Sequence, residues 1–233
     1  MKEKLKKIFK ENNFEINNEK IDKFVFFYDF LIKNNEKFNL TRIVSEDDAI
    51  RKHFLDSVSG AKFIPQNVSV IDVGAGGGFP SIPLKIVRPD LNFTLLDSVN
   101  KKVEFLNEAI NELNLKNTVA IHDRVEDFTN KPQIRESFDV CVSRAVANLS
   151  TLAEYCLPLV KLNGLFIAYK GSQALEELEQ ANNALKVLGG ELIETYKYKI
   201  EDDRENYLLV FKKIRRTPKE FPRRNNKPRK QPL

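Results

Sequence analysis

Apolar positions in the first part of the chain recur at steps of three and four. Leu5, Ile8 and Phe9, then Ile21, Phe24, Val25, Tyr28, Leu31 and Ile32, keep the helical period, so residues 1–40 are predicted to form amphipathic helices. In "SEDDAIRKHFLDSV" Ser45 fits an N-cap, and Glu46, Asp47 and Asp48 fall in the first turn, where the helix dipole favours acidic side chains. A further helix carrying His53 and Asp56 is therefore expected. From Val68 the pattern changes to short apolar runs, "VSVIDV", "NFTLLD", "TVAIH", "FDVCVSRA" and "GLFIAYK", separated by helical stretches such as "KKVEFLNEAINELNL". That alternation predicts an α/β fold with a parallel sheet covered by helices on both faces. The last two runs, "ELIETYKYKI" and "NYLLVFKKI", are joined only by "EDDRE", too short for a crossover, so they are predicted to pair as an antiparallel hairpin. The expected organisation is a helical segment over 1–60 packed on the core, an α/β domain over 61–214 and a tail over 215–233.

The stretch "IDVGAGGGFPSIPL" holds four of the nine glycines of the chain directly behind the first apolar run. It reads as strand, tight loop and helix start, with glycine allowing backbone N–H groups to face a ligand. Gly74, Gly76 and Gly78 spell G-x-G-x-G. A dinucleotide fingerprint needs glycine where Phe79 stands, and no Gly-Lys-Ser/Thr follows to make a phosphate-binding loop. In an open α/β sheet ligands lie beyond the carboxyl ends of the strands. Those ends carry the glycine loop, Asp97, "HDRVED" and Ser143-Arg144. Asp97 is placed to accept hydrogen bonds from two ribose hydroxyls. A ligand with ribose and adenine but no phosphate fits, and S-adenosylmethionine is the candidate cofactor.

Composition narrows the partners. With 42% hydrophobic and 30% charged residues the chain reads as a soluble globular protein. "MKEKLKKIFKENNFE" lacks the apolar core of a signal peptide and nowhere do 18 apolar residues run together, so a cytoplasmic protein without membrane association is expected. Cys141 and Cys156 sit in apolar settings, and His53 and His122 are the only histidines, which argues against a disulfide framework and a metal centre. The net charge of +5 hides an asymmetry: residues 212–233 hold ten Lys or Arg against one Glu, leaving a body of net −4. A cationic, proline-interrupted tail of this kind suits a polyanion, and Arg223, Arg224, Lys227, Arg229 and Lys230 are the expected RNA-binding residues.

Taken together, "DVGAGGGFPSIPL", "LLDSVNKKVEFL", "RVED", "SRAVA", Lys170-Gly171 and the closing "FPRRNNKPRKQPL" resemble the glucose-inhibited division protein B family, from about "NLTRI" to the last residue. That family comprises bacterial enzymes that methylate guanine N7 in 16S, small-subunit, ribosomal RNA. The resemblance implies a Rossmann-like class I S-adenosylmethionine-dependent methyltransferase sheet of seven strands with the last antiparallel, preceded by N-terminal helices. It also implies site residues. Gly74 and Phe79 line the methionine and adenosine side of the cofactor pocket, Asp97, Ser98 and Val99 hold the ribose region, Val125 and Glu126 flank the adenine, and Arg144 lies near the reactive end. The chain departs from the family at Ser81, where glycine is usual after Phe-Pro, and at "RRNNK", which replaces a glycine-containing tail segment.

Guanine N7 offers a neutral lone pair and no proton, so transfer of a sulfonium methyl needs positioning and electrostatics but no general base. The absence of a Ser/His/Asp set is consistent with that chemistry. An Asn-Pro-Pro-Tyr loop, usual for exocyclic amines, is absent after the fourth run, and a cytosine C5 mechanism needs a nucleophilic cysteine where both cysteines read as core. Arg144 suits either the cofactor carboxylate or guanine O6, and His53 is a candidate substrate contact beside Asp56. Two other readings use the same sheet: a small-molecule methyltransferase, and an RNA-binding protein with an inactive site. The basic tail favours RNA or the small ribosomal subunit as partner, and a monomer is expected.

Overall fold

The computed structural model describes residues 1–201 and 204–233, with 201 and 204 described by their backbone alone. Helices α1 (Lys2–Glu11) and α2 (Asn18–Phe38) form where the apolar period predicts them, and the Asn17 side chain caps α2 by accepting from the Lys20 N–H. Ser45 caps the next helix by accepting from the Asp48 N–H. This helix, α3, runs through Glu46–Asp48, Ala49–Leu55 and Asp56–Val58, and its middle stretch is π-helical. The wider turn is a feature often found at functional sites, and here it carries His53.

Strand β1 (Ser69–Val73) opens the sheet and is followed by α4 (Ser81–Val87), β2 (Asn92–Asp97), α5 (Asn100–Glu112), β3 (Thr118–His122), α6 (Val125–Phe128) and β4 (Phe138–Arg144). Helix α7 (Leu149–Cys156), β5 (Val160–Lys170), α8 (Ala174–Gln180), α9 (Asn182–Leu188), β6 (Gly190–Glu201), β7 (Arg204–Lys213) and the short α10 (Lys227–Lys230) complete the chain. The strand order is β3-β2-β1-β4-β5-β7-β6, with β7 antiparallel to both neighbours and the other pairs parallel. The predicted hairpin is thus the reversed end of a seven-stranded sheet. The order turns between β1 and β4, which leaves a crevice at their carboxyl ends.

Two apolar clusters fill the two faces. The face covered by α1, α2, α3 and α5 is rich in phenylalanine: Phe24 packs on Phe54 with ring centroids 4.9 Å apart, and Phe27 on Phe79 at 5.5 Å. The N-terminal helices therefore share one core with the sheet and buttress the glycine loop. On the other face Cys141 and Cys156 are buried among the side chains of α7, α9 and β5, as free thiols.

The tail is part of this fold. Arg223 lays its guanidinium against the carboxylate of Glu154 on α7, with Nη2 to Oε2 at 2.6 Å and Nε to Oε1 at 2.9 Å, and Glu154 is fully buried. Arg135 donates to the carbonyls of Thr217, Pro218 and Phe221, and Thr151 Oγ1 donates to Pro228 O at 2.9 Å. The cationic tail that reads as a partner for a polyanion is held down at its buried anchors by a carboxylate and by side chains that satisfy its backbone.

Candidate active site

At the carboxyl end of β1 the chain turns through Gly74 at φ +77° and Gly76 at φ +57°. A β-carbon on Gly74 would lie 2.4 Å from Val146 Cγ2, so the loop must be glycine there for the β4–α7 loop to approach. Below it Asp72 is fully buried; burial pushes its carboxyl up to about 7, and the Ser81 hydroxyl donates to its Oδ2 at 2.5 Å. The serine that departs from the family's glycine thus ties the loop's exit helix to β1.

Asp97, at the end of β2, organises the loop. Its Oδ2 accepts from the Gly76 N–H at 2.8 Å and its Oδ1 from the Val99 N–H at 2.9 Å, while the residue is 6% exposed. Two oxygens offer about four acceptor sites, so each retains capacity for a ligand hydroxyl. Gly74, Asp97, Ser98, Val99, Val125 and Glu126 all border one cleft of about 420 Å³. That volume falls in the range of small-molecule sites. Six of the predicted cofactor residues are brought together here. Tyr155, Asn226 and Arg229 also line it, and nothing in the local sequence marks them as cofactor residues.

A second cavity of about 530 Å³ adjoins the first, sharing Ala145 and Val146 as its wall. It is bordered by His53, Asp56, Arg144, Tyr169 and Lys170. Arg144 is fixed from three sides: Nη1 donates to Lys52 O at 2.9 Å and to Asp56 Oδ2 at 2.7 Å, and Nη2 donates to His53 Nδ1 at 3.0 Å. A guanidinium can only donate, so His53 Nδ1 is an acceptor and the ring is neutral with its proton on Nε2, 2.8 Å from Thr41 Oγ1. Burial, reinforced by the Arg144 charge, pushes the His53 pKa down to about 3. Asp56 also accepts from the Tyr198 hydroxyl at 2.6 Å and from Asn206 Nδ2 at 3.3 Å, binding the β6–β7 hairpin to α3.

His53 therefore reaches the second cavity with both ring nitrogens occupied, and serves to orient Arg144. Phe79 borders neither cavity. It is 6% exposed and stacks on the His53 ring with centroids 4.1 Å apart and planes 15° apart, so it supports the Arg144 platform from behind. Arg144 borders the second cavity and not the first. Its Nε–H and the second hydrogen of Nη2 have no protein partner among the described residues. Deeper in, Lys170 Nζ donates to Ala147 O at 2.7 Å and pairs with Glu177 at 2.6 Å. Of the tail cations, Arg224, Lys227, Arg229 and Lys230 are exposed, while Arg223 is committed to Glu154. Among the described residues no cluster of His, Cys, Asp or Glu suits a metal ion and no helix is long and apolar enough to cross a membrane.

The family model described as rRNA small subunit methyltransferase G matches residues 20–206. The chain belongs to that family. A Lachnoclostridium phytofermentans protein named ribosomal RNA small subunit methyltransferase G is 48% identical over 222 residues, covering 94% of this chain and 92% of its own length. Proteins of the same name from Desulforamulus reducens and Staphylococcus aureus strain N315 are 46% and 47% identical, over 98% and 96% of this chain and 97% and 95% of their own lengths. Among solved structures, M. jannaschii TYW2 in complex with AdoMet superposes with a TM-score of 0.57 at 17% identity, covering 74% of this chain and 80% of that one. A Thermotoga maritima SAM-dependent O-methyltransferase gives 0.53 at 15% identity, covering 81% and 73%. These distant likenesses establish the methyltransferase fold, and the rRNA small subunit methyltransferase G sequences establish the family. Every family motif but the tail segment lies inside the matched range.

Proposed function

We propose that this enzyme transfers the methyl group of S-adenosylmethionine to N7 of a guanine in 16S ribosomal RNA, acting as a cytoplasmic monomer on the RNA or the small subunit. The observation that carries the reading is the pair of cavities meeting at Ala145 and Val146, one fitted to an adenosine-bearing ligand and the other walled by a fixed arginine. S-adenosylmethionine, when bound, supplies an electrophilic methyl on a sulfonium. Asp97 holds the ribose hydroxyls, and the glycine loop lets the backbone approach the rest of the ligand. Arg144 borders the second cavity and not the cofactor cleft, so its guanidinium would donate to O6 of the base, the acceptor next to N7. Its own geometry is set in advance by Asp56, His53 and the Lys52 carbonyl, so positioning costs little at the moment of reaction. No proton leaves N7 when the methyl–sulfur bond breaks. Accordingly neither His53 nor Asp56 is free to act as a base, and neither needs to be.

Methyl transfer from labelled S-adenosylmethionine to 16S rRNA, or to small subunits, checks the reading. Between pH 5.5 and 8 the rate constant kcat/KM is expected to show no inflection from His53. A histidine whose folded pKa is depressed from 6.5 to about 3 is neutral throughout that window. A sigmoid centred near pH 6.5 that disappears in His53→Gln would reveal a general base and sink the mechanism. Label entering small metabolites of a cell extract but no rRNA would favour the small-molecule reading. Failure of the protein to bind the cofactor in calorimetry would favour an inactive RNA-binding fold.

A further inference from the structure

The tail read from the sequence as an RNA tether also borders the cofactor cleft. We propose that residues 222–231 form its outer wall, that Arg229 and Asn226 bind the adenosine part of the ligand, and that ligand binding and tail docking stabilise each other. The inference rests on the cofactor reading above and deepens it.

Three observations carry it. First, Asn226 and Arg229 lie on the same cleft as Asp97, Val125 and Glu126. Second, the tail is fastened on both sides of these residues. Arg223 is locked to the buried Glu154, and its Nη2 also donates to Gln231 O at 2.9 Å, closing residues 223–231 into a loop. Inside that loop Pro228 is buried and its carbonyl accepts from Thr151. Third, the backbone turns sharply to bring the arginine in: Asn225 and Asn226 are both left-handed, at φ +60°. Asparagine is one of the few residues with a side chain that adopt that region readily. "RRNNK" thus makes this left-handed turn with asparagines and places an amide side chain at the cleft.

Arg229 is oriented by a hydrogen bond from Nη2 to Val146 O at 3.1 Å, on the wall the two cavities share. Its charge also reaches the Tyr155 hydroxyl on the rim and opposes the rise that burial imposes there. Lining the cleft, the guanidinium would donate to acceptors of an adenosine, namely ring nitrogens and ribose hydroxyls. All three cations are exposed, but Arg229 borders the cleft and Lys227 and Lys230 border neither cavity, so the tail offers one set of side chains to the nucleoside and another to phosphates.

The test uses the full chain and S-adenosylhomocysteine as probe. In calorimetry Arg229→Ala is expected to weaken binding at least tenfold and Asn226→Ala severalfold, while Lys227→Ala with Lys230→Ala leaves the dissociation constant within twofold. In the wild-type chain saturating S-adenosylhomocysteine is expected to slow hydrogen exchange of the amides of residues 223–231. Wild-type affinity in both Arg229→Ala and Asn226→Ala, together with unchanged exchange in that segment, would overturn the inference while leaving the cofactor reading intact. No binding of the probe by the wild-type chain would remove both.

Discussion

Replacing Asp56 with alanine is expected to lower stability by about 3–5 kcal/mol, the cost of removing one partner of a buried ion pair. The carboxylate is 8% exposed and accepts from Arg144, Tyr198 and Asn206. Its loss leaves a guanidinium and two polar groups without their acceptor, and water reaches them poorly. At about 2–4 °C per kcal/mol for a chain near this size, the melting temperature should fall by on the order of 10 °C. Methyl transfer should fall by at least a hundredfold, because Arg144 then keeps only a carbonyl and a neutral imidazole to fix it. A double-mutant cycle tests the assignment directly. Asp56→Ala combined with Arg144→Ala should cost clearly less than the sum of the two single changes, since the second removes the charge that the first strands. Additive costs, or a single-variant loss under 1 kcal/mol, would mean that the pair does not organise the site.

Asp97→Ala carries the second large effect, on affinity instead of stability. The carboxylate holds the Gly76 and Val99 N–H groups in place, and in the proposed function it also presents acceptors to the ribose. A hydrogen bond to a charged group contributes about 1.5–3 kcal/mol, so losing the ribose contacts alone should weaken cofactor binding by tenfold to a hundredfold, and relaxation of the loop adds to this. Asp97→Asn keeps one acceptor oxygen and should fall between. Calorimetric titration of the folded variants checks both, and unchanged affinity in Asp97→Ala would take the residue out of the site.

Much of this architecture is legible along the chain because its determinants are local. The strands, the helical start, the Ser45 cap and the final hairpin follow from apolar period and connection length, and the seven-stranded sheet has them where the pattern places them. The candidate cofactor cleft is legible for a related reason: Gly74, Asp97 and Val125 stand at or just beyond strand ends, and strand ends of a parallel sheet converge. What the sequence conceals is what depends on distant pairing. Phe79 at the tip of the glycine loop has the look of a pocket wall, but only the folded chain brings Phe27 and His53 to either side of it. His53 reads as a substrate contact until Arg144, far along the chain, occupies its Nδ1. The tail is the clearest instance. Its charge count says polyanion, and nothing local reveals that Arg223 has a buried carboxylate waiting on α7, or that Asn226 and Arg229 return to the cofactor cleft.

The central claim, methylation at guanine N7, is tested most directly by locating the methyl group. Unmethylated small-subunit RNA is incubated with the protein and S-adenosylmethionine, then reduced and treated with aniline, which cuts the chain at 7-methylguanosine. The account predicts scission at one guanine of 16S rRNA, dependent on the protein and reduced in Asp97→Ala at limiting S-adenosylmethionine. Methyl label stably incorporated into the RNA without any aniline-sensitive guanine would place the methyl on another atom and contradict it.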